Sequence, residues 1–409
     1  MSQTGSVRLG QRSSRRGEGG SVRLIHTSDW HLGRRFERED MLEHQATFLD
    51  WLFTEAVSRN VDAVIVAGDI YDRSVPPTDA VKLLNKTLTQ FARAGIPMVL
   101  TSGNHDSAVR LGFGSELSEV SGIHIRTQLS DIARPVVLAD EYGELAIYAI
   151  PYFRPDAVMA ELAADRSHES VLRAATDLIR TDAAARGITR TVVVAHAFIT
   201  GGSASESERT IRIGGIGDAP ARLFDGITYV ALGHLHGQQE IRLGDSATVL
   251  RYSGSPLAYS FSEKEHRKSV ALLEIAGSGN VTSELLDAPV PRRLREVRGT
   301  LDELLARADT DLADLSDAWV KVTLTDPKRP HNPMERLRAR WPHTLSLFFD
   351  PEGGLSDSAA DLARLAKTTD PVEVFTMFVE YVANEAPNSD ELEVIHDVVE
   401  TVQRQLVGE

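Results

Sequence analysis

Five short segments of this chain carry an apolar run into residues that can ligate metals. They are LIHTSDWH at Leu24 to His31, VDAVIVAGDIYD at Val61 to Asp72, PMVLTSGNHD at Pro97 to Asp106, TVVVAH at Thr191 to His196 and ITYVALGHLH at Ile227 to His236. Together they supply Asp29, His31, Asp69, Asn104, His196, His234 and His236, a donor set of nitrogen and oxygen without thiolate, since the chain has no cysteine. Asp29 and His31 stand two apart, as do His234 and His236, so on an extended backbone both members of each pair point to one side and line one site. The Asp69 carboxylate has two oxygens and can bridge two ions. Two ions about 3.5–4 Å apart that share a carboxylate suit in-line attack on phosphorus: one acidifies the attacking water and both neutralise developing charge. An imidazole and carboxylate set with open positions suits manganese, iron or zinc.

Taken singly, these residues carry little weight. A histidine at a strand end is ordinarily a hydrogen-bonded surface residue, and GNHD alone reads as a turn. The ordered series DxH, GD, GNHD, strand-terminal His and GHLH, each after a buried apolar run, is what points to a metal centre. His105, inside GNHD, is read as a general acid that protonates a leaving alkoxide. Its other roles are to orient the scissile phosphate or to position a ligand through a hydrogen bond. Asp106 is a natural partner to fix the tautomer of His105 or of another imidazole. Asp72 is open between three roles: holding an imidazole, facing substrate, or lying on the surface.

The elements that must position these residues alternate. Strand-like runs are separated by segments with apolar residues at helical spacing, at Glu43 to Ser58, Thr78 to Ala94 and Asp165 to Arg186, the pattern of a layered α/β domain. The parallel-type strands should deliver their ligands to one edge of a sheet, at the carboxyl ends where α/β proteins bind ligands. With 409 residues, 42% hydrophobic and 25% charged, the chain can bury a full core and divides into two or three domains. It contains no apolar run approaching about 18 residues, which excludes a helical membrane span. Residues 1–21, rich in Ser, Gly and Arg, read as a disordered arm and lack the apolar centre of a secretory signal. Together with the absence of cysteine this points to the cytoplasm. A net charge of −15 argues against a uniformly basic nucleic-acid binder, though a local basic groove is compatible with it.

These motifs resemble the signature of the calcineurin-like metallophosphoesterases. HTSDWHLG (26–33), EHQATFLDWL (43–52), VDAVIVAGDIYDRSVPP (61–77), GNHDS (103–107), IPYFRP (150–155), ALGHLHG (231–237) and YSGSPLAYSFSE (252–263) extend the likeness to the SbcD-type nucleases of that family. These are relatives of the Mre nucleases of double-strand-break repair, and the likeness covers most of Val22 to about Ala276. The resemblance implies an α/β fold: a layered β-sandwich flanked by helices over residues 22–280, a small α+β DNA-capping domain over 281–352, and a linker and helices over 353–409. It implies two divalent ions, Mn²⁺ by family habit, one on Asp29, His31, Asp69 and His236 and the other on Asp69, Asn104, His196 and His234. His105 matches the family's catalytic histidine, while Asp72 stands where many relatives carry histidine.

By the same resemblance, the activity is 3′ to 5′ exonuclease on duplex ends and endonuclease on hairpins and single strands. The partners are DNA, a second copy in a homodimer within a heterotetramer, and an SbcC-type ATPase whose coiled-coil base sits on the C-terminal helices, with no membrane and a nucleoid-associated location. Arg292, Arg293, Arg295, Arg298, Lys328 and Arg329 make the capping segment locally basic and offer phosphate contacts. Val372, Phe375 and Phe378, then Val394, Ile395 and Val398, give two amphipathic helices at the end of the chain. A related enzyme acting on small phosphodiesters would use the same site without the cap or these helices. A non-catalytic adaptor of an ATPase would keep the helices without needing the ligands.

Overall fold

Ala63–Ala67, AVIVA, is buried at every position because both its faces are covered. It pairs in parallel with Val22–Thr27 on one side and Met98–Thr101 on the other. Val64 and Val66 project toward helices Leu42–Ser58 and Thr78–Ala94, meeting Phe48, Leu52, Leu84 and Phe91. Ala63, Ile65 and Ala67 project the other way, against Val192, Val194 and Tyr229 of a second sheet. Strand periodicity thus sorts one apolar run into two cores, and each large side chain so buried contributes about 1.5–3 kcal/mol.

The computed structural model describes residues 21–208, 218–351, 370–383 and 387–407, and the chain divides into two units at Pro291 and Arg292. In the first unit one six-stranded sheet runs Val281–Asp287, Ser269–Ile275, Val22–Thr27, Ala63–Ala67, Met98–Thr101, Ile123–Arg126. The other runs Gln239–Ile241, Val249–Tyr252, Tyr229–Gly233, Arg190–His196, Gly143–Ile150, Val136–Asp140. Helix His168–Arg186 covers the outer face of the second sheet through Leu172, Ala175 and Ile179. The result is a helix, sheet, sheet, helix sandwich, the layered α/β architecture of the phosphoesterase fold.

One sequence expectation needs correction. The donor-bearing strands do not share one sheet: three lie in the first and two, Arg190–His196 and Tyr229–Gly233, in the second. Val281–Asp287 pairs antiparallel with Ser269–Ile275 and completes the first sheet, and the first unit runs on to Pro291. The helices lie close to where the periodicity puts them. Thr78–Ala94 ends on Gly95 at φ 63°, and His168–Arg186 starts on Ser167, whose hydroxyl accepts from the Ser170 amide. The expected arm over 1–21 and the linker after 352 lie outside the described residues, save Ser21 and Asp370. Among the described residues no helix is long and apolar enough to cross a membrane.

The second unit alternates short strands and helices. Leu294–Gly299, Trp319–Leu324 and Thr344–Phe349 form a parallel three-stranded sheet. Helices Leu301–Ala306 and Pro333–Arg338 lie in the connections, around a core of Leu304, Val322, Leu337 and Trp341. A reciprocal cap between Thr300 and Glu303 starts the first of them. Of the basic residues, Arg292 pairs with Asp317, Arg295 with Asp314 and Arg298 with Asp350, so this strip is less positive than its sequence suggests. Helices Pro371–Ala383 and Ser389–Val407 bury Ile395 and leave Phe375, Phe378 and Val394 exposed.

Candidate metal centre

His196 ends its strand, and the other donor residues sit just past strand ends, several of them in unusual backbone conformations. Asp29, His31, Asp69 and His234 all have positive φ, at 53°, 46°, 48° and 107°, a conformation costing a non-glycine residue about 1–3 kcal/mol. The pairs two apart therefore converge through a turn, not along an extended strand as their spacing suggests. Hydrogen bonds impose the turn: the Asp29 amide donates to the Gly68 carbonyl at 3.1 Å and the His31 amide to the Asp69 carbonyl at 2.9 Å. Gln45, buried on helix Leu42–Ser58, clamps the same turn by accepting from the Gly33 amide at 3.0 Å and donating to the His31 carbonyl at 2.8 Å. Tyr259 donates to the Trp30 carbonyl at 2.7 Å.

Contact between the sheets depends on missing side chains. A Cβ on Gly233 would lie 1.7 Å from the Ala67 carbonyl oxygen, and one on Gly103 would lie 2.1 Å from Asp69 Oδ1. With glycine at both positions, the end of Tyr229–Gly233 reaches that of Ala63–Ala67, and GNHD folds onto Asp69.

Asp69 is the meeting point. Its Oδ2 lies 3.6 Å from His31 Nε2 and 3.4 Å from His196 Nε2, while its Oδ1 accepts from the His105 amide at 2.9 Å. His31 Nε2 and His236 Nε2 face each other at 3.0 Å, and His196 Nε2 lies 2.9 Å from Asn104 Oδ1. Asp29, His31 and His236 form one cluster with metal-binding spacing, and Asp29, Asp69 and His196 another. The His234 amide donates to the Asp29 carboxylate at 3.0 Å, and its ring meets that of His196 edge-on at 5.3 Å between centroids. A third cluster joins His31, Asp72 and His105.

Residues around the imidazoles fix which nitrogen faces inward. His196 Nδ1 donates to the Ala67 carbonyl at 3.0 Å and His105 Nδ1 to the Asp72 carbonyl at 2.7 Å, since a carbonyl can only accept. Both rings therefore turn Nε2 toward Asp69. Asp72 acts on His105 through its backbone, and its carboxylate lies 3.9 Å from His31 Nδ1 and 3.7 Å from Arg34 Nε. Asp106 accepts from the amides of Ile70, Tyr71 and Gly103 at 3.0, 2.9 and 2.9 Å. It ties the Asp69 turn to the GNHD turn.

The donor set fits a pair of divalent cations. Burial, then the neighbouring Asp69 charge, push the Asp29 carboxyl well above its usual range, and the same two causes raise Asp106 to about 7. Burial and the neighbouring histidines hold His31 and His234 well below the ordinary imidazole value. Positive charge among these groups relieves the crowding of anions, and His31 and His234 are held toward the neutral form that ligates metals. Ligand atoms about 2.0–2.2 Å from one ion lie about 3 Å apart when adjacent, the spacing of the His31 and His236 nitrogens.

Sequence reasoning missed Gln45, Ser207, Tyr259, Glu263 and Lys268. Three of them, Gln45, Tyr259 and Glu263, lie within EHQATFLDWL and YSGSPLAYSFSE and are buried here. A buried polar residue needs a partner, and the partner in each case is the centre or the turn that forms it.

Residues 22–238 match the family described as calcineurin-like phosphoesterase, and 290–383 the one described as type 5 capsule protein repressor C-terminal domain. The chain is 30% identical over 335 residues to the SbcD subunit of nuclease SbcCD from Staphylococcus saprophyticus, covering 80% of this chain and 84% of that protein. It is 30% identical over 330 residues to the protein of that name from Escherichia coli, covering 78% and 82%. With the Bacillus subtilis protein of that name it shares 35% identity over 271 residues, covering 62% and 66%.

Proposed function

This chain belongs to the calcineurin-like phosphoesterases and, among them, to the family of SbcD subunits of nuclease SbcCD, a metal-dependent phosphodiesterase by that membership, and we propose that it cleaves DNA with manganese as the nuclease partner in an SbcC-type ATPase complex. The observation that carries this is the position of one carboxylate oxygen, Asp69 Oδ2, between His31 Nε2 and His196 Nε2 at 3.6 and 3.4 Å. Asp29, His31, Asp69 and His236 would hold one ion, and Asp69, Asn104, His196 and His234 the other. When bound, the pair supplies an acidified water and neutralises charge developing on the phosphate.

The chain's own groups do the rest. His105, oriented by the Asp72 carbonyl through Nδ1, turns Nε2 toward Asp69 at 3.9 Å. Protonated there, it holds a proton for the leaving alkoxide. The clamps of Gln45 and Asp106 hold the donor turns in place, so little reorganisation accompanies reaction.

The finer reading covers substrate and partners. Duplex ends are digested 3′ to 5′, and hairpins and single strands are cut internally. The second unit, as a cap, offers Arg293, Lys328 and Arg329 to phosphates. The groove of about 410 Å³ lined by Phe375, Val379, Val394 and Ile395 suits the apolar stripe of a coiled-coil base from SbcC. Val109, Phe113, Leu117 and Val120, 78–90% exposed after the GNHD turn, suit a second copy of the chain in a homodimer within a heterotetramer. The complex works in the cytoplasm, at the nucleoid.

The test is to assay hairpin DNA and a chromogenic small phosphodiester with Mn²⁺, purified SbcC and ATP. Cleavage of the hairpin supports the reading. Activity confined to the small ester identifies an enzyme of small phosphodiesters, and inactivity on both identifies an adaptor. Truncation after Asp370 should abolish capture of SbcC, and undiminished capture overturns the docking assignment.

A further inference from the structure

Behind His236 lies a chain of buried polar groups that the reaction does not use. Ser207 Oγ donates to Glu263 Oε1 at 2.5 Å and lies 2.7 Å from His236 Nδ1. Glu263 Oε1 also lies 3.3 Å from that nitrogen and accepts from the Tyr259 amide at 3.1 Å. Lys268 pairs with Glu263 Oε2 and donates to the His236 carbonyl at 3.1 Å and to Ser255 Oγ at 3.0 Å, so each of its three protons has an acceptor. The side chains of Glu263 and Lys268 are 0% and 4% exposed.

One arrangement of protons satisfies these bonds best. An ionised carboxylate is an acceptor only, so the Ser207 proton goes to Glu263. The Ser205 hydroxyl at 2.9 Å is a neutral competitor and the weaker one. Having given its proton away, Ser207 accepts from His236, which fixes the proton on Nδ1 and leaves Nε2 bare toward His31 Nε2 at 3.0 Å. A carboxylate that holds a ligating imidazole in this way raises its basicity and removes the wrong tautomer from the apo state.

We propose that Glu263, with Ser207 as its relay and Lys268 as its counter-ion, is a positioning residue that presets His236 to ligate one of the two ions. This rests on the metal-centre reading above. Glu263→Gln cannot satisfy both ends: an amide oxygen turned to Ser207 turns the amide protons on the Lys268 ammonium. Ser207→Ala is the gentler change, because the direct 3.3 Å contact from His236 to Glu263 remains.

The experiment titrates the full-length apo protein with Mn²⁺ by calorimetry and measures the melting temperature of each apo variant. Affinity for one ion should fall about 10–100-fold in Glu263→Gln and less in Ser207→Ala, with the other ion little changed. Ser207→Thr, which keeps the hydroxyl, should bind as wild type does. If Glu263→Gln does not fold, the Ser207 pair decides alone. A lower apo melting temperature with both affinities intact in Ser207→Ala and Glu263→Gln assigns the network to stability alone and overturns the proposal. A wild-type chain that takes up no ion overturns the metal-centre reading itself and this proposal with it.

Discussion

His196 Nδ1 donates to the carbonyl oxygen of Ala67 across 3.0 Å, a hydrogen bond that both links the two sheets and fixes the face of the imidazole. Ala67 ends a strand of the first sheet and His196 a strand of the second. The bond leaves Nε2 against Asn104 Oδ1 at 2.9 Å and Asp69 Oδ2 at 3.4 Å. The sandwich is thus more than a support: the centre exists only where the two sheets' strand ends touch.

His105 should separate chemistry from metal binding. His105→Ala removes an imidazole that is outside both ion-binding sets, so metal content should stay at the wild-type level. Cleavage should fall by about 10²–10⁴-fold, the usual contribution of a general acid. Metal analysis beside a single-turnover assay checks both, and a full cleavage rate in the variant refutes the acid role.

Gly103 should be intolerant for a purely steric reason. An added Cβ would stand 2.1 Å from Asp69 Oδ1, so Gly103→Ala must displace the Asp69 carboxylate. Affinity for both ions should drop about 10–100-fold, read by Mn²⁺ titration of a variant whose circular dichroism matches wild type. Undiminished uptake means Asp69 is not held where the structure places it.

His26 should make the fold acid-labile independently of the metal centre. Burial and the nearby Arg251 charge lower its pKa to about 3, and it lies 2.9 Å from the Tyr229 hydroxyl. The folded state keeps it neutral, while the unfolded chain binds a proton below about pH 6.5. Stability from this group is therefore complete above that pH and is lost toward pH 3, by about 1.4 kcal/mol per unit. Denaturant unfolding of wild type and His26→Gln from pH 7 to 4 measures it, and equal pH slopes for the two proteins contradict it.

Much of the fold was legible because the parallel strands of the first sheet alternate with amphipathic helices whose periodicity survives packing, as in Thr78–Ala94. The candidate donors stood out in the sequence because Asp69, Asn104 and His236 closely follow apolar strands. Hidden from the sequence was the division of those strands between two sheets, since buried parallel strands look alike wherever they pair. The convergence of Asp29 and His31 was predicted for the wrong reason: left-handed turns, not strand pleat, aim them. Roles that depend on distant partners were also out of reach. Asp106 belongs to backbone amides of another turn, and Glu263 meets His236 only through the folded core.

The central claim is that Asp69 is common to two ions. Its most direct test is metal content per chain after loading with Mn²⁺ and desalting, measured for wild type and Asp69→Ala beside hairpin DNA cleavage. The account predicts two ions and cleavage in wild type, and neither in the variant. Two ions retained by Asp69→Ala, or a single ion in an active wild-type chain, would contradict it.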